Sequence, residues 1–522
     1  MRNVFSSLRR DVGAGAFINR EPIASGRLMV AVAAAVTILC SSPVRSDSLI
    51  EAGEFSELAG FRYGISVTDL DGDVLVAHRA DERFAPASNV KLFVTAAALD
   101  MESALSAIDS GLRVVTTSTG SGPPALALVG RGDPTIGFGP DCSRRCLETL
   151  ADAVAASGIR TVGDIIGDDR WFADERKPLG WSWDDLKFGH GTAVSAIAVN
   201  KNILSLRVSP SAETGGDVLT SWDDAGRGYF ELRNEATTGA EDQSRALRLE
   251  RRIAERTARL YGVSPSGSRS LKLDLGVDDP AHLAAWYFKN ALQTRGVSVS
   301  GTLQTRHRSL RYADEPSPTD PEEPASELAC KPRGSVSENG PVVASLAAAP
   351  LNEIVDEINR ESQNLYAEVL LRQLGAVSGR GSSFCGLLQI QKFLDGVGAP
   401  RESYDFVDGS GLSNYNRVTP ATITALLRHA ATAPWGDAFR ASLPVGAGAD
   451  GTLKYRFRGT ALEGKIFAKT GSLNHADALS GYMQADSGKT LVFSIIVNDR
   501  PLESPSAISE IDAALLKIAK RF

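Results

Sequence analysis

The amino-acid sequence predicts an α+β fold, in which helices pack on an antiparallel sheet and a long β-rich segment interrupts that domain. Residues 61–78 alternate apolar and polar side chains around a Gly-containing turn, which predicts a β-hairpin. Residues 464–473, 479–484 and 490–498 predict three more strands, and an amphipathic helix follows over residues 508–522. Between the hairpin and these strands lie many short β-rich runs separated by Gly, Pro and Asp, which indicate an inserted region.

The chain is long enough for several domains, because 522 residues exceed what one hydrophobic core normally supports. One stretch rich in Pro, Glu, Asp and Ser cannot form a core and predicts a surface loop or linker. We therefore divide the chain into a leader over 1–46 and a domain that is split into a first part over 47–110 and a second part over 342–522. Between these two parts lie an inserted β-rich region of one or two nested domains over 111–312 and the acidic Pro-rich loop over 313–341. A helix is predicted over 48–60, and one amphipathic helix over 146–157 interrupts the insertion.

The N-terminus predicts export. Residues 1–27 contain five arginines and two acids, and residues 28–39 are almost wholly apolar. Small residues follow, with Val44 and Ser46 at the positions that a signal peptidase requires, so cleavage is expected after about Ser46. The apolar run is too short for a comfortable membrane span, although an uncleaved N-terminal anchor remains the alternative. This pattern predicts a periplasmic protein.

Charge and cysteine content exclude some function classes. The net charge is −7 and there is no long basic run, which gives no support to nucleic-acid binding. Without the leader, four cysteines remain, and an even number in an exported chain predicts disulfides. Cys142 and Cys146 predict a local bridge, and Cys330 and Cys385 then pair by elimination. A metal site is the alternative for these cysteines, but no Cys or His cluster lies near either pair.

The first chemical motif lies in residues 86–99, which predict a helix that begins after Pro86 and continues to about residue 107. Residues three apart share a helix face, so Ser88 and Lys91 are expected side by side near the first turn. A buried lysine loses its proton near neutral pH, and its free amine can take the serine proton. Alone, this pair is weak evidence, because an exposed serine beside a solvated lysine is common.

Two further motifs follow in chain order. Ser362-Gln363-Asn364 lies in a predicted helix with apolar neighbours on both sides, and Lys469-Thr470-Gly471 lies at the polar end of a predicted strand. The Ser-x-Asn pattern also occurs at residues 337–339, inside the acidic loop, and at residues 472–474, directly after the third motif. Only the pattern at Ser362 has a predicted structure that would hold it rigid.

The three motifs in this order resemble the signature of the penicillin-recognising serine enzymes, which comprise the penicillin-binding proteins and serine β-lactamases. The long separation between the first and second motifs, and several longer stretches, resemble the class C low-molecular-mass penicillin-binding proteins, the D-alanyl-D-alanine carboxypeptidase/endopeptidase family typified by penicillin-binding protein 4. Those stretches are residues 86–91, 132–135, 183–185, 361–368, 408–413 and 450–453. The chain departs from the family in the acidic loop and at Gly189-His190-Gly191.

The resemblance implies a penicillin-binding-protein/serine β-lactamase-like transpeptidase domain and a set of catalytic roles. Ser88 would attack the carbonyl of the penultimate D-alanine and form an acyl-enzyme. Lys91 would be the general base, with its pKa lowered by burial and by the nearby Lys469. Ser362 would relay a proton to the leaving amine, and Asn364 would orient Lys91 and the substrate amide.

Further residues are implied in substrate binding. Lys469 and Thr470 would hold the terminal carboxylate, and Gly471 would leave space for substrate along the strand. The backbone N–H groups of Ser88 and Ser472 would form the oxyanion hole. No metal or organic cofactor is needed for this chemistry.

The side chain of the substrate is expected to meet two more sites. Asp184 or Asp185 would bind the free amine of a diaminopimelate side chain, and the sequence does not decide between them. Arg417 would meet the carboxylate of that side chain, with a structural surface arginine as the equal alternative.

The sequence therefore predicts a penicillin-sensitive serine D-Ala-D-Ala carboxypeptidase and D,D-endopeptidase. Its partners would be peptidoglycan stem peptides ending in D-Ala-D-Ala, with β-lactam antibiotics as covalent inhibitors, and a loose membrane association stays open. A serine β-lactamase is the first alternative, disfavoured because no second carboxylate base can be assigned. A catalytically silent peptidoglycan-binding module is the second, disfavoured because all three motifs are intact.

Overall fold

The computed structural model describes residues 61–117, 122–314, 330, 340–501 and 503–522. The predicted signal peptide, the predicted helix over 48–60 and nearly all of the acidic loop lie outside the described residues. Within the described residues, no helix is both long enough and apolar enough to span a bilayer.

Strands and helices alternate unevenly along the described chain. The strands are β1 Arg62–Asp69, β2 Val74–His78, β3 Leu112–Thr117, β4 Ala125–Gly130, β5 Asp133–Ile136, β6 Thr161–Val162, β7 Ile165–Asp168, β8 Ile197–Val199, β9 Ile203–Ser209, β10 Leu219–Trp222, β11 Glu231–Gly239, β12 Ala246–Arg251, β13 Thr257–Pro265, β14 Leu271–Gly276, β15 Ser298–Val299, β16 Leu303–Arg306, β17 Val342–Leu346, β18 Tyr404–Asp405, β19 Arg417–Val418, β20 Ile466–Leu473, β21 Ala476–Gln484 and β22 Thr490–Asn498. The α-helices are α1 Val90–Asp100, α2 Glu102–Ser106, α3 Leu147–Ala156, α4 Pro280–Thr294, α5 Leu351–Arg360, α6 Asn364–Val377, α7 Ser383–Val397, α8 Pro420–Thr432, α9 Gly436–Ser442 and α10 Ile508–Arg521.

The central sheet joins the beginning of the described chain to its end. Its strand order is β2-β1-β22-β21-β20, and every neighbouring pair is antiparallel. Strand β1 pairs with β22 from Arg62↔Asn498 to Asp69↔Leu491. The two parts of the split domain therefore build one sheet, and the predicted α+β fold is confirmed.

Helices cover both faces of this sheet. On one face, Phe93 of α1, Leu371 of α6 and Ile423 of α8 belong to a single apolar core with residues of β21 and β22. On the other face, Ile511 and Leu515 of α10 pack against the sheet. Helix α1 is buried from Val90 to Leu99, so it lies at the centre of the domain instead of presenting one polar face to water.

The inserted region has its own core. A mixed sheet of order β16-β7-β4-β3-β17 packs with α3 and α4, and two three-stranded sheets, β10-β9-β14 and β11-β13-β12, lie beside it. Helix α4 is absent from the sequence-based prediction, although its signals are present: the side chain of Asp279 accepts a hydrogen bond from the backbone of His282 (3.0 Å), and Pro280 begins the helix.

One predicted domain boundary needs correction. Strand β17 pairs antiparallel with β3, from Val342↔Val115 to Leu346↔Leu112, so residues 342–346 complete the inserted sheet. The second part of the split domain therefore starts nearer to α5 than to residue 342. Alternating apolar and polar residues predict that a segment is a strand, but they do not predict which strand it pairs with. The pairing of residues 342–346 with β3 could therefore not be predicted.

The four cysteines form the two expected pairs. Cys142 is bonded to Cys146, and Cys330 is bonded to Cys385. Cys385 lies on α7, so the second bridge fixes one point of the acidic loop to the split domain.

Candidate active site

Ser88 lies in a short 3₁₀ turn, Ala87–Asn89, immediately before α1. The central sheet holds this turn in place through Asn498, the last residue of β22. The side chain of Asn498 accepts a hydrogen bond from the N–H of Ala85 (2.7 Å) and donates one to the carbonyl of Ala85 (3.0 Å). Ala87 has φ 49°, which directs the chain sharply into the helix. Ser88 itself remains partly exposed, as its predicted role as the nucleophile requires.

Lys91 lies in the first turn of α1 and is completely buried. Its Nζ is 2.9 Å from Oγ of Ser88 and 2.7 Å from Oδ1 of Asn364, and it also donates to the carbonyl of Ser410. Burial lowers the pKa of Lys91 to about 7, against the opposing effect of the carboxylates of Asp408 and Glu368. The structure thus brings the first and second motifs together around one amine with low proton affinity.

Ser362 lies between two helices, which corrects the predicted continuous helix. Helix α5 ends at Arg360 and α6 begins at Asn364, and Ser362 has φ 59° in the connection. The side chain of Gln363 accepts a hydrogen bond from the N–H of Leu365 (3.1 Å) and so caps α6. The left-handed backbone conformation of Ser362 leaves no mark on the spacing of apolar residues. The break between the two helices was therefore not predicted.

Lys469 projects from β20 towards this connection. Its Nζ donates to Oγ of Ser362 (2.7 Å) and to the carbonyl of Thr470 (3.0 Å). Burial and the positive charge of Lys91 both hold the pKa of Lys469 well below its usual range. Two amine–hydroxyl pairs, Lys91 with Ser88 and Lys469 with Ser362, therefore lie close enough for one amine to affect the other.

The rest of the third motif shapes the edge of the site. Oγ1 of Thr470 donates to Oγ1 of Thr452 (2.9 Å). A Cβ on Gly471 would lie 2.7 Å from the carbonyl oxygen of Pro86, so glycine lets β20 approach the nucleophile turn closely. The sequence led us to expect that Gly471 leaves room for substrate. In the structure, Gly471 instead allows the backbone of β20 to lie close to the backbone of Pro86. Ser472 donates from Oγ to Oδ1 of Asp477 (3.0 Å).

The two candidate aspartates have different surroundings. Oδ1 of Asp185 is 3.0 Å from Nε2 of His190, and the carbonyl of His190 accepts a hydrogen bond from Nδ2 of Asn364 (2.9 Å). Asp184 is exposed, and its carboxylate accepts a hydrogen bond from the hydroxyl of Ser182. Asp185 is thus tied to the catalytic centre through the inserted loop, and Asp184 faces solvent beside it.

The side-chain hydrogen bonds of Arg417 stay within its own loop. Its guanidinium donates to the carbonyl oxygens of Asn414 (2.9 Å) and Asn416 (2.8 Å), so it holds its own loop together. Among the described residues, none of its hydrogen bonds reaches the five predicted catalytic side chains. These contacts fit the alternative in which Arg417 is a structural surface arginine.

Sequence reasoning missed Glu368, which lies on α6 one turn after Asn364 and is completely buried. Its Oε1 accepts hydrogen bonds from the N–H groups of Gly409 (2.9 Å) and Ser410 (2.8 Å), and its Oε2 accepts from Arg372 (3.0 Å). Glu368 therefore fixes Ser410, the residue whose carbonyl contacts Lys91. The available signal was a Glu and an Arg four residues apart within an otherwise apolar helical run.

Asp408 fixes the same loop from within. Its Oδ1 accepts from the N–H of Gly411 (2.8 Å), and its Oδ2 accepts from the N–H of Ser413 (2.8 Å) and from Nε1 of Trp181 (2.9 Å). Gly411 has φ 79°, and a Cβ there would lie 1.9 Å from the carbonyl oxygen of Ala87. The loop thus packs directly against the nucleophile turn.

Comparison with known proteins agrees with this geometry. The D-Ala-D-Ala carboxypeptidase 3 (S13) family matches residues 47–315 and 332–522. The chain belongs to this family of serine peptidases. The family and the enzyme class predicted from the sequence are therefore confirmed.

Curated relatives match nearly the whole chain. A D-alanyl-D-alanine carboxypeptidase of Actinomadura sp. (strain R39) is 33% identical over 510 residues, which cover 93% of this chain and 88% of the relative. A penicillin-sensitive carboxypeptidase A of Dictyostelium discoideum is 25% identical over 473 residues, which cover 84% of this chain and 82% of the relative.

A solved structure shares the fold. The crystal structure of penicillin binding protein 4 from Haemophilus influenzae has a TM-score of 0.72 at 19% identity, over 89% of this chain and 97% of that chain. At this identity, the likeness supports the architecture, and the roles of individual residues depend on the geometry described above.

The contacts of Glu368 predict the effect of removing its charge. Burial raises the pKa of Glu368 to about 7, so its charged form prevails above that pH. Measured above about pH 7, Glu368→Gln should lower kcat/KM for D-Ala release about 10- to 100-fold, because losing a charged hydrogen-bond partner costs about 1.5–3 kcal/mol and the carbonyl of Ser410 then no longer faces Lys91. The exposed Glu402→Gln is the matched control and should retain wild-type activity. Thermal unfolding of each variant shows whether it is folded, and a folded Glu368→Gln with wild-type kcat/KM would contradict this role.

Proposed function

We propose that this protein removes the terminal D-alanine from peptidoglycan stem peptides, and cleaves D,D-cross-links between them, through an acyl-enzyme on Ser88. One observation supports the mechanism above all others. Of the three partners of the Lys91 amine, Asn364 and Ser410 present carbonyl oxygens, which can only accept hydrogen bonds. A neutral amine has two N–H groups for these acceptors, so its lone pair remains for the hydroxyl proton of Ser88.

Acylation follows from this arrangement. Lys91 takes the proton as Oγ of Ser88 attacks the carbonyl of the penultimate D-alanine, and the oxyanion is stabilised by the backbone N–H groups of Ser88 and Ser472. Ser362 passes its proton to the leaving amine and takes one in return from the ammonium of Lys469, and water then hydrolyses the acyl-enzyme and frees Ser88. Lys469 supports this transfer, since its amine lies 2.7 Å from the hydroxyl of Ser362.

The terminal carboxylate of the substrate gives the third motif its role. Lys469 has low proton affinity in the empty site, because it is buried and close to Lys91. A bound carboxylate supplies the missing counter-charge and restores the ammonium form, so binding and protonation of Lys469 occur together. The hydroxyl of Thr470 completes this carboxylate site.

The β-lactamase alternative requires a carboxylate that activates water for deacylation. Asp408 and Glu368 are both buried near Lys91. The oxygens of Asp408 accept hydrogen bonds from Gly411, Ser413 and Trp181, and both oxygens of Glu368 accept hydrogen bonds from Gly409, Ser410 and Arg372. Their positions therefore support a positioning role and slow release of an acylating β-lactam. A β-lactam complex is described for the Haemophilus influenzae protein, whose fold this chain shares.

The substrate side chain provides a second contact. The carboxylate of Asp185 is hydrogen-bonded to His190. The exposed carboxylate of Asp184 accepts a hydrogen bond from its neighbour Ser182 and can still approach an amine from solvent. We therefore assign recognition of the free diaminopimelate amine to Asp184, and the positioning of His190 to Asp185. The signal-like leader and the proposed peptidoglycan substrate together support a periplasmic location.

The nucleophile can be tested directly with a fluorescent penicillin. Wild-type protein should form a stable adduct, and mass spectrometry should place it on Ser88, while Ser88→Ala should not label. Ser487→Ala, on an exposed turn, is the control and should label normally. Rapid release of hydrolysed drug would favour the β-lactamase, and absence of labelling would favour the silent binding module.

The pKa of Lys91 predicts the pH dependence of acylation. The free amine is the reactive form, so the rate should rise about tenfold per unit below pH 7 and level off above about pH 7. Quenched-flow labelling between pH 5 and 9 measures this profile. Lys91→Arg should be inactive throughout, because guanidinium keeps its proton, and a wild-type rate independent of pH would refute Lys91 as the base.

The assignment of Asp184 predicts a difference between substrates. Asp184→Asn should lower kcat/KM about fivefold for a peptide with a free side-chain amine, since an exposed ion pair contributes up to about 1 kcal/mol. It should leave the N-acetylated peptide unchanged. Asp185→Asn should slow hydrolysis of both peptides equally, because Asp185 acts through His190 and Asn364. If Asp185→Asn instead affected only the peptide with the free amine and Asp184→Asn affected both peptides, the roles of the two aspartates would be exchanged.

A further inference from the structure

A large cavity opens between the inserted region and α5, outside the two amine–hydroxyl pairs. Its volume is about 1340 Å³, and its lining includes Glu361 and Gln363, the residues on either side of Ser362. Arg360 and Asp450 also line it, and the carbonyl of Arg360 accepts a hydrogen bond from the N–H of Thr452 (3.2 Å). The cavity therefore borders the side of the site where Ser362 protonates the leaving amine and Thr470 contacts Thr452.

The size of this cavity exceeds what carboxypeptidase chemistry requires. Pockets for small ligands measure about 300–1,000 Å³, and a departing D-alanine fills only a small part of that. When a cross-link is cleaved, however, the leaving amine belongs to a whole second stem peptide. Cross-link cleavage thus requires room on this side of the site, and the cavity provides it.

The wall of the cavity opposite α5 carries paired positive charges. Arg207 on β9 lies directly opposite Lys272 on β14 and opposite Ser221 on β10, and all three line the cavity. All three side chains are exposed. Like charges at directly opposed positions destabilise a sheet, so this pair is unfavourable until an anion lies against it.

Most of the other charges of the cavity are paired, and the lining carboxylates without an ion pair among the described residues are Asp141, Asp223 and Glu361. Glu353 of α5 is bound by Arg144 and Arg145, and Glu357 is bound by Lys201. Lys272 has a nearby partner in Asp274 at 3.2 Å, but both side chains are about half exposed, and such pairs in water are weak. Arg207 and Lys272 therefore remain available to an incoming carboxylate.

We propose that this cavity is a subsite for the second stem peptide of a cross-link, and that Arg207 and Lys272 bind its carboxylates. The inference rests on the proposed D,D-endopeptidase function and extends it to the leaving strand. A stem peptide is anionic, since its D-glutamate and its C-terminal residue carry free carboxylates. The forked guanidinium of Arg207 can bind a carboxylate through two hydrogen bonds, and Lys272 adds a second charge beside it.

The test compares two substrates of the full-length enzyme. One is a monomeric pentapeptide muropeptide, and the other is a dimer of two tetrapeptide muropeptides joined by a D-alanyl–diaminopimelate bond. The double variant Arg207→Ser/Lys272→Ser should lower kcat/KM for the dimer about 5- to 20-fold, mainly through KM. Hydrolysis of the monomer and acylation by penicillin should stay within twofold of wild type.

A matched control uses cations elsewhere in the insertion. Arg248 and Arg252 are exposed on or beside β12 and do not line the cavity, so Arg248→Ser/Arg252→Ser should leave both substrates unaffected. Arg207→Lys/Lys272→Arg keeps both charges and should retain dimer cleavage within threefold. Arg207→Glu/Lys272→Glu should reduce it further than the serine variant.

The outcomes separate this inference from the proposed function. An equal loss on monomer and dimer would mean that the cavity binds the acylated strand, and an unchanged dimer rate would mean that it binds neither; both overturn the inference. A wild-type enzyme that hydrolyses the monomer but not the dimer overturns it as well. Failure of the proposed function is distinct, because Ser88 would then not be labelled by penicillin.

Discussion

The amine of Lys91 is enclosed by protein on every side, and the organisation of the split domain follows from that burial. Burial disfavours the charged form of an amine, and it lowers the pKa of Lys91 to about 7 against the opposing effect of the carboxylates of Asp408 and Glu368, so the neutral form is accessible near neutral pH. Neutral Lys91 is then directed by two carbonyl acceptors towards Ser88. In the proposed mechanism, nucleophile activation is thus a consequence of how the core is closed.

Closing that core requires distant parts of the chain. Asn498 at the end of β22 fixes Ala85, Gly471 on β20 contacts the carbonyl of Pro86, and Gly411 contacts the carbonyl of Ala87. These contacts converge on one turn from three segments that lie far apart in sequence. A change at any of them moves Ser88 relative to Lys91, so the reactivity of the serine depends on the tertiary fold as much as on the motif.

The sequence predicted the residues that meet at the candidate site better than it predicted their supports. The structure brings together Ser88, Lys91 and Lys469, whose order and local conformation follow from motif and periodicity. The break between the helices at Ser362 was not predicted, because the left-handed backbone conformation of this residue does not change the spacing of apolar residues. Glu368 was not assigned a role, because its partners Gly409 and Ser410 are some forty residues away and contact it through backbone N–H groups, which any sequence supplies. The pairing of β17 with β3 was missed for the same reason.

The insertion belongs to the catalytic apparatus. Asn364 has two amide ends: Oδ1 accepts from Lys91, while Nδ2 donates to the carbonyl of His190, which the insertion supplies. An amide held at both ends keeps one orientation, whereas a free Asn364 could rotate and present its NH₂ to Lys91. Trp181 of the same insertion donates to Asp408 and so steadies the Ser410 carbonyl as well. Both carbonyl acceptors of Lys91 therefore depend on the inserted region, so a split domain deprived of it would keep its motifs and lose the direction of its general base.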